Sequence, residues 1–503
     1  MKLRKSAGLG LCIMVGAVLI LATTGTVVGA DTGGYVQEPA KHWHEVDAAW
    51  MDTFHNPAEG LEFGLDFRFR ETYGRNIFSL DDQFGDGVAL PFKAGNWNKY
   101  HWQRYRTRLS TKWDMNEDVS FNSRLLWEFW THTDPHRSFN SALSNQNTDF
   151  DEIIFDSLNL QFRNALDMPL TLTVGRQDII LGTGWLVLDG TPADGPRSIY
   201  FDAIRGTYQL SDATTLDMIY IQQYDGETKW LSPINHREGT YHSTQKQDEK
   251  GVILYLTNVN DGQQRELYYI YKNDEPSQWS RINTPSAIGQ DAEIHTIGGR
   301  LAGKINDSWS YSAELAKQWG RREEQSMKGL GTNNRLTYAF NDDKNTQVFA
   351  MYEFLSGDNP TTTSSEKFDT LWGDWPQSQR GGELQAYLWA DEGALGEVAN
   401  MHRLGMGHSY NPCQNWNLVT MYNLLWADKN TYGGSSGPAV PGGPMFSNGG
   451  DFRGQLFSCV ATYQCCPTFR TNFILDYFVP GSYYDGGTQD HAMLGIINME
   501  WTF

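Results

Sequence analysis

Stretches of about ten residues in which apolar and polar side chains alternate with a period of two recur along this chain, and they limit its fold more than any other feature. In "LEFGLDFRFR", Leu61, Phe63, Leu65, Phe67 and Phe69 fall on one face, against Glu62, Gly64, Asp66, Arg68 and Arg70. "RYRTRLSTKW" sets Tyr105, Thr107, Leu109, Thr111 and Trp113 against Arg104, Arg106, Arg108, Ser110 and Lys112. The last residues, "IINMEWTF", place Ile497, Met499, Trp501 and Phe503 opposite Asn498, Glu500 and Thr502. Such a strand needs a cover for its apolar face, because a bare edge strand invites aggregation.

Beyond residue 30 there is no run of 18 or more apolar residues, so no transmembrane helix is available. A membrane location then requires closed β-structure. Composition agrees. Aromatic residues make up 13% of a chain whose mean hydropathy is −0.52, the mixture expected when aromatic girdles ring a barrel and half of every strand faces water. A net charge of −20 argues against nucleic acid, whose phosphates it would repel. At the N-terminus, basic "MKLRK", the apolar stretch from Ala7 to Leu21 and small Val28, Gly29 and Ala30 have the form of a secretory signal peptide cleaved near Asp31. Cys12 follows Leu11, where a lipoprotein site would want a small residue.

The connections alternate in length. Tight turns rich in Asn, Asp, Gly and Pro are expected at 114–118, 164–168, 211–214, 258–264, 306–308, 341–345, 411–415 and 464–468. Long connections are expected at about 74–99, 133–149, 177–198, 224–250, 273–291, 320–333, 356–400, 428–453 and 479–491. Eight short turns and nine long loops give 18 strands with both termini on the short-turn side. The fold class is therefore an all-β, antiparallel, up-and-down transmembrane barrel. The segment "GELQAYLWADEG" stays in the 356–400 loop, since counting it would make the strand number odd. Residues 1–30 form the signal peptide, 31–60 a periplasmic segment and 61–503 the barrel, with 492–503 closing against the first strand.

The second strand decides which face is wet. Turning Arg104, Arg106, Arg108 and Lys112 to lipid would cost roughly 2–4 kcal/mol each near the midplane, so they face the lumen. The same alternation sends Arg68, Arg70, Asn159, Gln161, Arg163, Arg205, Arg300, Lys304, Arg403 and Arg470 inward, with Asp66, Glu128, Glu152, Asp217 and Glu500. An acidic protein with arginines on its inner wall points to passage of an anion, because low-dielectric walls focus the field and guanidinium forks onto carboxylate or phosphate. The other reading of these residues is a ladder of ion pairs bracing the barrel.

Other motifs carry less. "GGSSG" at 433–437 matches G-x-S-x-G but lies in a Gly- and Pro-rich loop, without the strand-to-helix elbow a nucleophile needs. "HWH" at 42–44 lacks further ligands at useful spacing. "DDQFGDG" at 81–87 gathers carboxylates without EF-hand spacing; it reads as a solvated extracellular loop, with Ca²⁺ there the alternative and no other cofactor expected. Cys413 and Cys465 or Cys466 lie on neighbouring short turns, where a periplasmic disulfide is a candidate; Cys459 reads as a lipid-facing side chain.

"TVGRQDIILGTG", "RSIYFDAIRGTYQL", "YEFLSGDNPTTTSSEKFDTLW", "MHRLGMGHSY" and "DYFVPGSYYDG" resemble strand and loop motifs of the alginate export family of outer-membrane channels, over about residues 60–503. The resemblance implies an 18-stranded barrel with an arginine-lined constriction that passes an anionic exopolysaccharide across the outer membrane. On the matching motifs it points to Arg176, Arg205 and Arg403 as lumen groups; periodicity adds Arg106 and Arg108. The expected protein is a monomeric conduit without chemistry of its own. Its partners are lipid, an anionic polymer and periplasmic secretion proteins. Two alternatives stand beside it: a porin importing small anions, which a loop folded into the lumen would mark, and a hydrolase or adhesin working through its long loops.

Overall fold

In a computed structural model, the structure describes residues 48–77, 80, 99–134, 153–188, 200–224, 231–234, 247–276, 290–359, 361–373, 399–430, 449–484 and 489–503. The signal peptide, "HWH", "DDQFGDG", Glu152, "GELQAYLWADEG" and "GGSSG" lie outside the described residues.

A short helix, α1 (Ala48–His55), leads into the sheet. The strands are β1 (Leu61–Arg75), β2 (Lys99–Asp114), β3 (Val119–Asp134), β4 (Ile153–Phe162), β5 (Leu170–Gln177) and β6 (Phe201–Ser211). Next come β7 (Thr214–Gln223), β8 (Glu249–Asn260), β9 (Gln263–Asp274), β10 (Ala292–Lys304), β11 (Trp309–Arg322) and β12 (Gln325–Ala339). The chain finishes with β13 (Gln347–Leu355), β14 (Met401–Tyr410), β15 (Trp416–Trp426), β16 (Phe452–Cys466), β17 (Phe469–Pro480) and β18 (Ala492–Thr502). Each pairs antiparallel with its sequence neighbours and β18 returns to β1, so the described sheet has 18 strands and no edge.

Closure explains the apolar last strand. Phe67 pairs with Trp501 and Phe69 with Met499. Phe503 exchanges both backbone hydrogen bonds with Leu65, at 2.8 and 2.7 Å, and the Trp501 ring lies 5.5 Å from Phe67 and 4.9 Å from Phe469. Leu109, Trp113, Leu267, Leu301, Leu315 and Met406 are exposed on the outer wall, as an apolar belt in lipid should be. Among the described residues no helix is long and apolar enough to cross a membrane.

The short turns follow local chemistry. In the β2–β3 turn Asn116 Oδ1 accepts from the N–H groups of Asp118 and Val119, both at 2.9 Å. Asn306 does the same for Ser308 and Trp309 between β10 and β11. This Asx geometry is why Asn recurs there.

One expected loop is absent. Residues 320–333 are not a long connection: β11 runs to Arg322, β12 starts at Gln325, and only Glu323 and Glu324 join them. The alternation that marks other strands is weak here because Gly329 and Gly331 occupy inward positions. A Cβ on Gly331 would come 2.8 Å from the Phe368 ring and 3.0 Å from Trp185. The candidate disulfide between Cys413 and Cys465 or Cys466 is not formed in this structure, where all four described cysteines are unbridged. The Cys465 and Cys466 Sγ atoms are 3.3 Å apart.

The largest apolar cluster lies inside the barrel. It joins inward strand positions such as Tyr255, Tyr268, Ile270, Leu456 and Phe478 to the inter-strand residues Ile77, Ile179, Trp185, Phe368, Trp372 and Tyr484. Extracellular connections therefore fold inward.

Candidate functional site: an arginine wall facing two inward loops

Register builds the arginine wall. Across β1 and β2, Arg68 stands directly opposite Arg106, Arg70 opposite Arg104 and Asp66 opposite Arg108. On the next strands Glu500 is opposite both Arg68 and Arg470, and Glu128 is opposite Arg106. Two arginine pairs thus face each other where like charges ordinarily destabilise a sheet. Three carboxylates are threaded among them. Arg106 lies 3.3 Å from Asp66 and 3.9 Å from Glu500. Arg108 Nε donates to Asp66 Oδ2 at 2.6 Å, Arg68 and Arg104 approach Glu128 at 3.5 and 3.4 Å, and Arg470 pairs with Glu500.

Among the described residues, Arg68, Arg104, Arg106, Arg108 and Arg470 gather around Asp66, Glu128 and Glu500, and Arg70 Nε donates to Asn498 Oδ1 at 3.3 Å. Arg106 is almost fully buried, and its Nε and Nη1 have no hydrogen-bond partner among the described residues. A desolvated cation with idle donors is costly and is poised to take an anionic oxygen.

The remaining sequence-derived residues are dispersed. Arg176 forks onto Asp202 at 2.9 and 3.0 Å, donates to Phe155 O at 2.8 Å and stacks 3.6 Å over Tyr200. Arg205 donates to Asp217 at 2.8 Å. Arg300 forks onto Glu266 at 2.7 and 2.8 Å. Arg403 faces Glu353 at 3.5 Å. Arg163 braces the turns at the end of β4 through Asp114, Ser120 and Glu117 O. The fold therefore gathers Arg68, Arg106 and Arg108 with Arg70, Arg104 and Arg470, and sets Arg163, Arg176, Arg205, Arg300 and Arg403 in separate ion pairs on other strands.

Two segments that periodicity could not place fold against the other walls. Residues 178–188 enter after β5: Asp178 takes a two-pronged contact from Arg124 at 2.7 and 2.9 Å. Gly182 (φ +59°) turns so close to the wall that a Cβ would sit 2.7 Å from Tyr255 Oη and 3.1 Å from Glu266. Trp185 then donates to Glu353 at 3.0 Å and stacks on Phe368 at 5.6 Å.

The second segment, 361–373, runs along the uncovered upper edge of β12. Ser365 N donates to Ser326 O and Lys328 N to Ser365 O, both at 2.8 Å. Asp369 pairs with Arg322, and its backbone exchanges hydrogen bonds with the Gln318 side chain, each 2.8 Å. Trp372 donates to Glu249 at 2.7 Å, beside Lys272, which lies 3.1 Å from Asp274. The two segments are joined: Leu188 N donates to Trp372 O at 2.8 Å and Trp372 N to Leu186 O at 3.0 Å. The apolar run "IILGTGWLVL" was the one available sign that this loop is buried rather than solvated.

The model of the alginate export family matches residues 61–493. Among solved structures, the chain is similar to OpdQ of Pseudomonas aeruginosa, with TM-score 0.52 and 11% identity over 88% of this chain and 97% of that one. OccAB4 of Acinetobacter baumannii gives 0.52 and 12% over 89% and 100%, and a BenF-like porin from Pseudomonas fluorescens Pf-5 gives 0.52 and 11% over 88% and 99%. At such identities these likenesses speak for the fold. No curated protein matches the chain. A closed 18-stranded barrel with an apolar exterior and a charged inner wall, matched by this family model over most of its length, is an outer-membrane channel of a Gram-negative-type cell. The chain belongs to the alginate export family.

Proposed function

We propose that this channel conducts an anionic saccharide along the wall formed by β17, β18, β1 and β2, and that its cargo is a carboxylated exopolysaccharide. The observation that carries the reading is Arg106, buried and with Nε and Nη1 unpartnered among the described residues, in a cluster where the register sets arginine beside arginine. Carboxylates along a polymer could exchange between successive guanidinium forks without any one holding them fast, which transport requires. Family membership supports a polymer. Planar-bilayer recordings of the mature protein test the proposal. Anion preference and current block by uronate oligomers are expected, whereas cation preference would overturn it.

A second reading, uptake of small anions, is favoured by one feature. Residues 178–188 and 361–373 fold inward and clasp each other, narrowing the passage as a porin's inner loop does. Liposome swelling separates the two. Entry of monomeric uronates without oligomer block supports the porin.

A further inference from the structure

The turn between β16 and β17 holds two thiols that conduction does not use. Cys465 and Cys466 end β16, and Pro467 and Thr468 lead into β17 at Phe469. In a regular strand successive side chains point to opposite faces, which keeps adjacent cysteines apart. Here the register slips. Gln464 is opposite Arg470 and Cys466 is opposite Phe469, which leaves Cys465 as the extra residue of a bulge. Gln464 shares the lumen face with Arg470, so alternation turns Cys465 outward. Cys466 is also outward, as the cross-strand partner of Phe469, whose ring lies 4.9 Å from Trp501. The bulge thus puts both thiols on one side, with their Sγ atoms 3.3 Å apart.

The pair is placed to react. Both residues are half-buried and lie on the short-turn rim, which in outer-membrane barrels faces the periplasm, an oxidising compartment. The two sulfurs are unequal. Cys465 Sγ donates to Cys466 Sγ, which also lies 3.4 Å from the Thr468 hydroxyl. Hydrogen bonds aimed at one sulfur favour its thiolate, which makes Cys466 the attacking group and Cys465 the resolving one. Cys413, on the neighbouring turn, is the competing partner: Gln464 N donates at 2.9 Å to the carbonyl of Asn415, two residues after it. Adjacent Cα atoms are about 3.8 Å apart, short of the roughly 4.4–6.8 Å spanned by an ordinary disulfide. A ring closed between 465 and 466 is therefore readily reopened.

We propose that Cys465 and Cys466 are a reversible vicinal dithiol–disulfide couple on the periplasmic rim, oxidised by exchange with an external disulfide. The Cys466 thiolate attacks one sulfur of that disulfide and releases its other half; the Cys465 thiolate then attacks Cys466 Sγ and releases the second half. One S–S bond breaks and one forms, and the two electrons and two protons that leave the cysteines end on the two released thiols. The test uses the mature protein, folded with reduced thiols, and oxidised glutathione as the probe. The product is quenched in acid, denatured, alkylated with N-ethylmaleimide and cleaved after arginine, and the peptide 454–470, which also carries Cys459, is weighed. Wild type is expected to carry a maleimide on Cys459 alone, with two hydrogens lost and no glutathione at 465 or 466. Cys465→Ser keeps a glutathione on Cys466, because the resolving thiol is gone, and Cys413→Ser behaves as wild type. Excess reduced glutathione restores maleimide labelling of both members of the pair. Labelling of both after oxidation, a cross-link to the peptide bearing Cys413, glutathione held by the wild-type pair, or a ring that excess reduced glutathione leaves closed each overturns the proposal. Both thiols lie outside the lumen, so this test and that of the channel reading fail separately.

Discussion

The inner faces of β17–β2 and of β8–β13 belong to one sheet, yet they handle charge in opposite ways. On β8–β13 several inward cations close pairs of their own: Arg300 with Glu266 at 2.7 Å, Lys272 with Asp274 at 3.1 Å, Arg322 with Asp369. These pairs lie under Trp372 and Phe368, and glycines at 251, 329 and 331 leave room for the rings. On β17–β2 the register opposes arginine to arginine, and Asp66, Glu128 and Glu500 are each approached by two of them. The first wall is built to be covered by protein. On the second wall, buried Arg106 keeps two donors without a partner among the described residues.

The comparison can be broken most severely at the arginine wall. Arg68→Gln/Arg106→Gln is expected to reduce the anion-to-cation permeability ratio roughly tenfold or more in planar bilayers, because focused charge sets local ion concentration. Arg300→Gln serves as the control and shifts selectivity little, since its charge is already neutralised by Glu266. An equal effect from both variants would erase the distinction between the walls.

The covered wall is tested next through Trp185. Trp185→Ala removes the stack on Phe368 and the hydrogen bond to Glu353, and costs about 3–5 kcal/mol of folding stability as aromatic truncations do. Single-channel conductance should rise as the two inward segments part, with anion preference retained. Unchanged conductance would mean that these segments do not narrow the path.

Gly331→Val is milder. Its Cβ intrudes on Phe368 and Trp185, an overpacking worth roughly 1–3 kcal/mol, and protease nicking after residue 361 should accelerate.

The smallest expected effect is on pH. Burial would raise the Asp369 carboxyl, but Arg322 and Lys272 outweigh it and hold it below the ordinary carboxylate range. A depressed folded-state value stabilises docking above the unfolded value, about 3.9, and that contribution is lost as pH falls through the folded value. Conductance of wild type should therefore show a step only in acid below about pH 4, and Asp369→Asn should lack that step.

Particular residues show where sequence reading succeeds. Arg104, Arg106 and Arg108 could be assigned to the lumen because the alternative was a lipid cost of several kcal/mol, and every strand carries that constraint at alternate positions. Asn116 and Asn306 announced their turns through chemistry confined to a few neighbouring residues. Residues 320–333 misled because the inward glycines that make this hairpin fit Phe368 and Trp185 erase the alternation that reveals a strand. Arg176 and Arg403 were legible as motif residues, but not the partners Asp202 and Glu353 that absorb their charge.

The sequence alone determined a closed barrel, its strand number and which face meets lipid, since a period of two and a lipid penalty act on each strand separately. Only the tertiary structure decided which arginines share a field and which are silenced, and which loops turn inward. Those outcomes depend on register and packing between residues far apart in the chain, where local pattern has no hold.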